Sequence, residues 1–232
     1  MNLTTVKVPL RDKEIFSSAE KYVADYFASM DWNPEKGTIT IGGERYVFVR
    51  ADSLSCNFLQ FMVEMYPSIE KNESIAAANK VLYDMGHSFG LSDARAFHTK
   101  TGATDPKEKL ATGPIHFAYS GWASVEIHDA ASQSPDEEYY SIYDHPQSFE
   151  ADSWIKSKKN PTHCVCVLSS GYAAGWNQES YGVPLSSREI LCRAKGDPFC
   201  RFILCQPHRV EEFVLKYQLD HPHLFQPQDS HE

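Results

Sequence analysis

Five of the six cysteines fall between Cys164 and Cys205. SSREILCRAK and FCRFILC read as two strands of a hairpin, joined by the turn Lys195-Gly196-Asp197-Pro198. With the turn centred on Gly196, Cys192 stands opposite Cys200. Opposed residues on one face of an antiparallel pair have Cβ atoms about 4.5–5.5 Å apart. Two thiols so placed can share a tetrahedral ion with Zn–S bonds of about 2.3 Å. Glu189 lies just upstream, and Cys164 or Cys166 can approach from a neighbouring strand. Three sulfurs and a carboxylate are within zinc chemistry. One conflict stands in the way. Glu189 and Cys192 are an odd number of residues apart, so a regular strand points them to opposite faces. Both can be ligands only if the strand bulges. Spacing also leaves open unpaired buried thiols or a Cys192–Cys200 disulfide. Cys205 and Cys56 read as core residues.

The other residues able to do chemistry are histidines and aromatics. His116 lies in GPIHFAYSGWASVEIH, which reads as strand, and from the residues alone it is a core histidine. His145, between Asp144 and Pro146, reads as a loop residue. Trp122, Trp154 and Trp176 read as core or pocket wall. His221, His223 and His231 fall in a tail.

These groups need a scaffold. Residues 11–30 have helical periodicity, with Ile15, Ala19, Tyr22, Val23, Tyr26 and Met30 on one face. TITIGGERYVFVR signals a hairpin at Gly42-Gly43. Asp52 or Ser53 can cap a helix that Pro67 ends. A helix from Ser74 to Phe89 is expected to stop at Gly90, followed by a short helix from Leu91 to Lys100. GATDPKEK reads as loop, 130–138 as a surface loop, HCVCVL at 163–168 as a short strand, SSGYAAGWNQESYG as a helix, and 208–219 as a final helix. The fold class is α+β: a helical N-terminal half packed on a mostly antiparallel sheet, with a C-terminal hairpin.

The 232 residues carry 22 Lys plus Arg against 31 Asp plus Glu, a net charge of −9. That excess of acid argues against general nucleic-acid binding, which needs clustered cations. No apolar run reaches the roughly 20 residues that span a bilayer, and the N-terminus lacks a secretory signal. A cytoplasmic location, with reduced thiols, is expected.

The segment CVLSSGYAAGWNQESYGVPLSSREILCRAKGDPFCRF resembles the 4-vinyl reductase domain. The matching residues are Cys166, Gly171 to Gly175, Glu189, Cys192, Gly196-Asp197, Cys200 and Phe202. Upstream, GTITIGGERYVFVRADSL and GPIHFAYSGWASVEI resemble the N-terminal part of the effector-sensor domains of phenol- and xylene-responsive transcription activators. SFEAD, Ser148 to Asp152, resembles their linking motif. The resemblance runs from about Gly37 to Gln206. It implies a structural zinc held by Cys166, Glu189, Cys192 and Cys200, and so selects Cys166 over Cys164. It also implies a buried effector pocket beside the zinc. A family histidine matches His116, and a family tryptophan falls on His145. An indole only donates, whereas a neutral imidazole donates and accepts, so a different or more polar ligand than phenol is expected. Tyr143 takes the place of a pocket aromatic, and Phe117 and Tyr172 are further pocket candidates.

The expected divisions are a dimerising N-terminal helix (1–36), a sensor-like region (37–134), a 4-vinyl reductase domain (135–206), and a C-terminal helix and tail (207–232). The expected function is a ligand sensor, not an enzyme, that binds a small aromatic or hydrophobic molecule as a homodimer and signals to an output domain. No GxxxxGK[ST] and no helix-turn-helix signal is found, so the output domain is expected elsewhere in a larger protein. The alternatives are a reductase or tetrapyrrole binder, although no G-x-G-x-x-G follows a strand, and a passive adaptor that holds an acyl chain.

Overall fold

The computed structural model describes residues 3–65 and 69–225. The elements in chain order are β1 (Val6–Lys7), α1 (Lys13–Ala28), β2 (Asp31–Asn33), β3 (Thr38–Ile41), β4 (Glu44–Tyr46), α2 (Cys56–Met65), α3 (Lys71–Thr101), α4 (Pro106–Tyr119), β5 (Val125–Ile127), β6 (Tyr140–His145), α5 (Phe149–Lys156), α6 (Val167–Tyr181), β7 (Ser186–Leu191), β8 (Cys200–Cys205) and α7 (Val210–Asp220). The main sheet has the order β1-β5-β6-β8-β7, antiparallel except where β1 meets β5. A smaller antiparallel sheet joins β2, β3 and β4 around the Gly42-Gly43 turn. The α+β class and the mostly antiparallel sheet are as expected.

Alternation along the central strands makes two cores. Tyr143, Cys200, Phe202 and Leu204 face the layer built from α1, α3, α4 and α6. Ile142, Ile203 and Cys205 face the other way, onto Val210 and Tyr217 of α7. α7 therefore covers the outer face of the sheet. α1 buries Phe16, Ala19, Val23 and Tyr26 and packs on α4 within the monomer.

Several expectations fail: GATDPKEK is loop only as far as Asp105, His145 ends strand β6, and three larger differences bear on the site. First, GPIHFAYSGWASVEIH is not two strands: its first half ends helix α4, and only Val125–Ile127 is strand. Asp105 caps this helix, accepting from the Lys107 and Glu108 N–H groups, and Pro106 occupies its first turn, where a missing N–H costs nothing. His116 is thus a helix residue. Second, Gly90 does not stop a helix. α3 runs unbroken for 31 residues because Gly86 and Gly90 lie against α6. A Cβ on Gly86 would sit 2.1 Å from the Leu168 carbonyl oxygen, and one on Gly90 2.1 Å from that of Tyr172. Gly171 and Gly175 return the contact at 2.1 and 2.2 Å from the carbonyls of Tyr83 and His87. The two backbones touch with no side chain between them. Third, HCVCVL is not a strand: residues 164–166 are irregular and Val167 opens α6. Pro67 and His231 lie outside the described residues. Among the described residues no helix is long and apolar enough to cross a membrane.

Candidate metal centre and adjoining cavity

The hairpin register explains how Glu189 and Cys192 meet. Glu189 pairs with Phe202, but Leu191 pairs with Arg201, so Ile190 is an extra residue in β7. Ile190 and Leu191 both pack on the outer core. This bulge returns Glu189 and Cys192 to the inner face. Cys200 reaches the same point from β8, and Cys166 arrives from the start of α6.

The donor atoms of Cys166, Glu189, Cys192 and Cys200 lie within 4.8 Å of one another, and all four residues are buried. The sulfurs of Cys166 and Cys200 are 3.7 Å apart. A tetrahedral ion with bonds of about 2.3 Å sets its sulfurs roughly 3.8 Å apart. The surroundings hold each donor in place. The Cys166 N–H donates to Glu189 Oε2 at 2.7 Å. Cys192 N–H donates to Asp197 Oδ2 at 2.7 Å, and Arg193 N–H approaches Cys200 Sγ at 3.4 Å. Gly196, at φ 103°, makes the turn between them. Glu150, wholly buried, accepts from the Leu168 and Ser169 N–H groups at 3.0 and 2.9 Å and so fixes the first turn of α6. Burial pushes its carboxyl up to about 7.

The fit to a cation rests on what the cluster lacks. Glu189 Oε1 is buried with no hydrogen-bond partner among the described residues. Burial drives the Glu189 carboxyl and the Cys166 thiol toward their neutral forms. Hydrogen bonds from Cys166 and Cys200 instead push Cys192 down. Four acidic donors packed without a cation are in conflict, and a thiophilic divalent ion resolves it. The cluster can hold a metal.

A cavity of about 50 Å³ adjoins this centre. Its floor is the inner row of β6: Ser141, Tyr143 and His145. α4 contributes Leu110, Gly113, Pro114 and Phe117, and α6 contributes Tyr172, Ala173, Trp176 and Asn177. Val125, Ile127 and Gln133 complete it. His145 is the register partner of Cys200, so cavity and metal centre share one strand pair. Gly113 makes room for Trp176, because a Cβ there would lie 2.6 Å from the indole nitrogen.

Four of the five expected pocket residues, Phe117, Tyr143, His145 and Tyr172, line this cavity. His116 does not. It sits behind Tyr172, whose hydroxyl lies 2.9 Å from His116 Nδ1 and donates to Asp93 Oδ2 at 2.9 Å. His116 Nε2 faces the Tyr46 hydroxyl at 3.4 Å, and Tyr46 meets Tyr26 at 3.1 Å. Burial lowers the His116 pKa to about 3, which keeps it neutral. His145 is likewise held to about 3 by burial. Its Nδ1 has no partner among the described residues. Tyr143 is different: its hydroxyl is paired with Ser187 at 2.9 Å and its ring stacks on Phe202.

Ser141, Gln133, Leu110, Pro114 and Asn177 were not anticipated as wall residues. For Ser141 the signal existed, since a period of two from Tyr143 and His145 reaches it. For the α4 residues it was hidden by reading that segment as strand.

Residues 25–132 match the XylR_N family, described as an activator of aromatic catabolism. A stretch of 118 residues is 25% identical to the phenol regulator MopR of Acinetobacter guillouiae, covering 51% of this chain and 21% of that protein. The chain thus spans about a fifth of that relative's length. The fold is similar to the phenol-responsive sensory domain of the transcription activator PoxR, solved with phenol. The TM-score is 0.69 at 19% identity, over 91% of this chain and 99% of the other. That likeness shows the fold. A trafficking protein particle complex subunit 3 from Naegleria fowleri, covalently bound to palmitic acid, aligns at a TM-score of 0.42 and carries no argument. None of these matches extends the resemblance to the 4-vinyl reductase domain.

Proposed function

We propose that this chain is an aromatic-effector sensory domain of the kind found in transcription activators of aromatic catabolism. The matched family and the PoxR-like fold support this reading. The observation that carries it is His145: a buried, neutral imidazole with an unsatisfied ring nitrogen, set into a cavity otherwise walled by aromatic and aliphatic side chains. A small ring fills such a cavity through apolar burial, worth about 25 cal/mol per Å². A hydroxyl on that ring satisfies the orphaned nitrogen, as donor or as acceptor. At about 50 Å³ the cavity must widen to take a ring, since a cavity that holds benzene measures roughly 150 Å³.

The four-donor cluster is read as a structural zinc site. Cys166, Glu189, Cys192 and Cys200 would supply all four positions, which closes the ion to substrate. Bound there, the ion ties the β7–β8 hairpin to the start of α6, and therefore fixes the relative position of two cavity walls. Effector binding shifts a preexisting equilibrium that an output domain reads. α1 packs its apolar face on α4, and the surface proposed for a homodimer contact is Trp32 and Phe48, which are 62% and 63% exposed and meet edge to face.

The test is calorimetric titration of the purified chain with phenol. Binding is expected, and His145→Phe is expected to weaken it about tenfold, the value of one buried hydrogen bond. Absence of binding across phenol and alkylphenols overturns the reading.

A further inference from the structure

The polar groups of the cavity are unevenly committed. Asn177 donates to the Ala173 carbonyl and accepts from Tyr139, which leaves it one N–H and one lone pair. Tyr143 is committed to Ser187, and Tyr172 turns its hydroxyl away to Asp93 and His116. On the β6 row itself, uncommitted capacity stands at the two ends. One is His145. The other is the pair Gln133 and Ser141, joined by a bond of 3.3 Å from Gln133 Nε2 to Ser141 Oγ. That bond uses one of the two N–H donors of Gln133 and one lone pair of Ser141. The Ser141 O–H, the second Gln133 N–H and the Gln133 Oε1 remain to bond a guest.

The spacing of these ends follows from the strand. Ser141 and His145 lie on the same face, four residues apart, so their Cα atoms are roughly 13 Å apart. Between them on the same face stands Tyr143, and the rings of Phe117, Tyr172 and Trp176 also line the cavity. A benzene ring with polar atoms at its para positions, and a hydrogen bond of about 2.8 Å beyond each, spans a comparable length. A ring polar at one end only leaves Ser141 and Gln133 facing apolar atoms.

We infer that the cavity selects single-ring aromatics with hydrogen-bonding groups at both para ends, and that Ser141 and Gln133 set this preference. The inference rests on the sensory reading and deepens it. It is tested by calorimetry on the full chain with 4-(hydroxymethyl)phenol, its near-isostere 4-ethylphenol, and phenol. The first is expected to bind about tenfold tighter than 4-ethylphenol. That ratio is expected to fall to near unity in Ser141→Ala and, independently, in Gln133→Leu, which alters a half-buried loop residue rather than the strand. Equal or tighter binding of 4-ethylphenol by the unmodified chain overturns the inference and leaves the sensory reading standing. A ratio unchanged in both variants overturns the assignment to Ser141 and Gln133. Binding of none of the three overturns the sensory reading and this inference with it.

Discussion

Glu189 and Cys192 bring their donor atoms to one point because Ile190, an extra residue in β7, packs outward beside Leu191. The four-donor cluster therefore depends on a bulge that corrects the odd spacing of two of its members. With Glu189 paired to Phe202 as observed, a strand of regular pleat and the same spacing would turn Cys192 toward α7 instead.

Deleting Ile190 removes the extra residue and leaves Glu189 and Cys192 two places apart, on one face of a regular strand, so the ligand set is expected to stay together. Elemental analysis of untagged protein is expected to stay near one zinc per chain. Loss of the metal would show that the bulge does more than return Cys192 to the face of Glu189.

Cys200→Ser and Cys192→Ser are expected to lose the ion and to melt well below the parent, because metal binding contributes directly to folding. In a domain of this size each kcal/mol lost lowers Tm by roughly 2–4 °C. Chelation of the parent protein is expected to reproduce the shift, and calorimetric scans of the three samples check this.

Gly90→Ala and Gly175→Ala reverse the usual sign of a glycine-to-alanine change in a helix. Such a change normally stabilises by about 1 kcal/mol. Here the new methyl would meet the Tyr172 or the His87 carbonyl oxygen at 2.1 or 2.2 Å. A loss of about 1–3 kcal/mol or more is expected instead, measured by denaturant unfolding.

His116 sets part of the acid sensitivity. Its folded pKa of about 3 lies below the ordinary value of about 6.5. The unfolded chain therefore takes up a proton below pH 6.5 that the folded chain refuses. Stability present above pH 6.5 is lost as pH falls toward 3, at about 1.4 kcal/mol per unit. The groups facing His116 are Tyr46 and Tyr172, with Asp93 beyond and the rings of Phe27, Phe97 and Trp176 around it. His116→Phe is expected to lose less stability than the parent between pH 7 and pH 5. His145 titrates in the same direction, so the slope is reduced rather than removed.

Three of the four donors were legible because Glu-x-x-Cys with Cys200 across a hairpin is a local pattern, and even the need for a bulge followed from strand parity, but Cys166 was chosen over Cys164 only through the family resemblance. α1, α6 and α7 were legible from periodicity. What misled was tertiary in origin. Gly90 looked like a stop because nothing local reveals that another backbone lies against it. The segment at Gly113-Pro114 looked like broken strand, although Asp105, Pro106 and Glu108 already spelled a helix start. The family resemblance, not the strand reading, put His116 in the pocket, whereas the helix turns it toward Tyr46 and leaves Phe117 at the cavity wall.

The four interlocked glycines have a mechanical consequence. With no compressible side chains at their seam, α3 and α6 form a single stiff beam, and α6 can neither roll nor slide without opening a gap along its length. That beam bears Cys166 at one end and Tyr172 and Trp176 along its flank, so an arriving guest finds one wall immovable. The walls outside that seam are α4, β5 and the 130–138 loop.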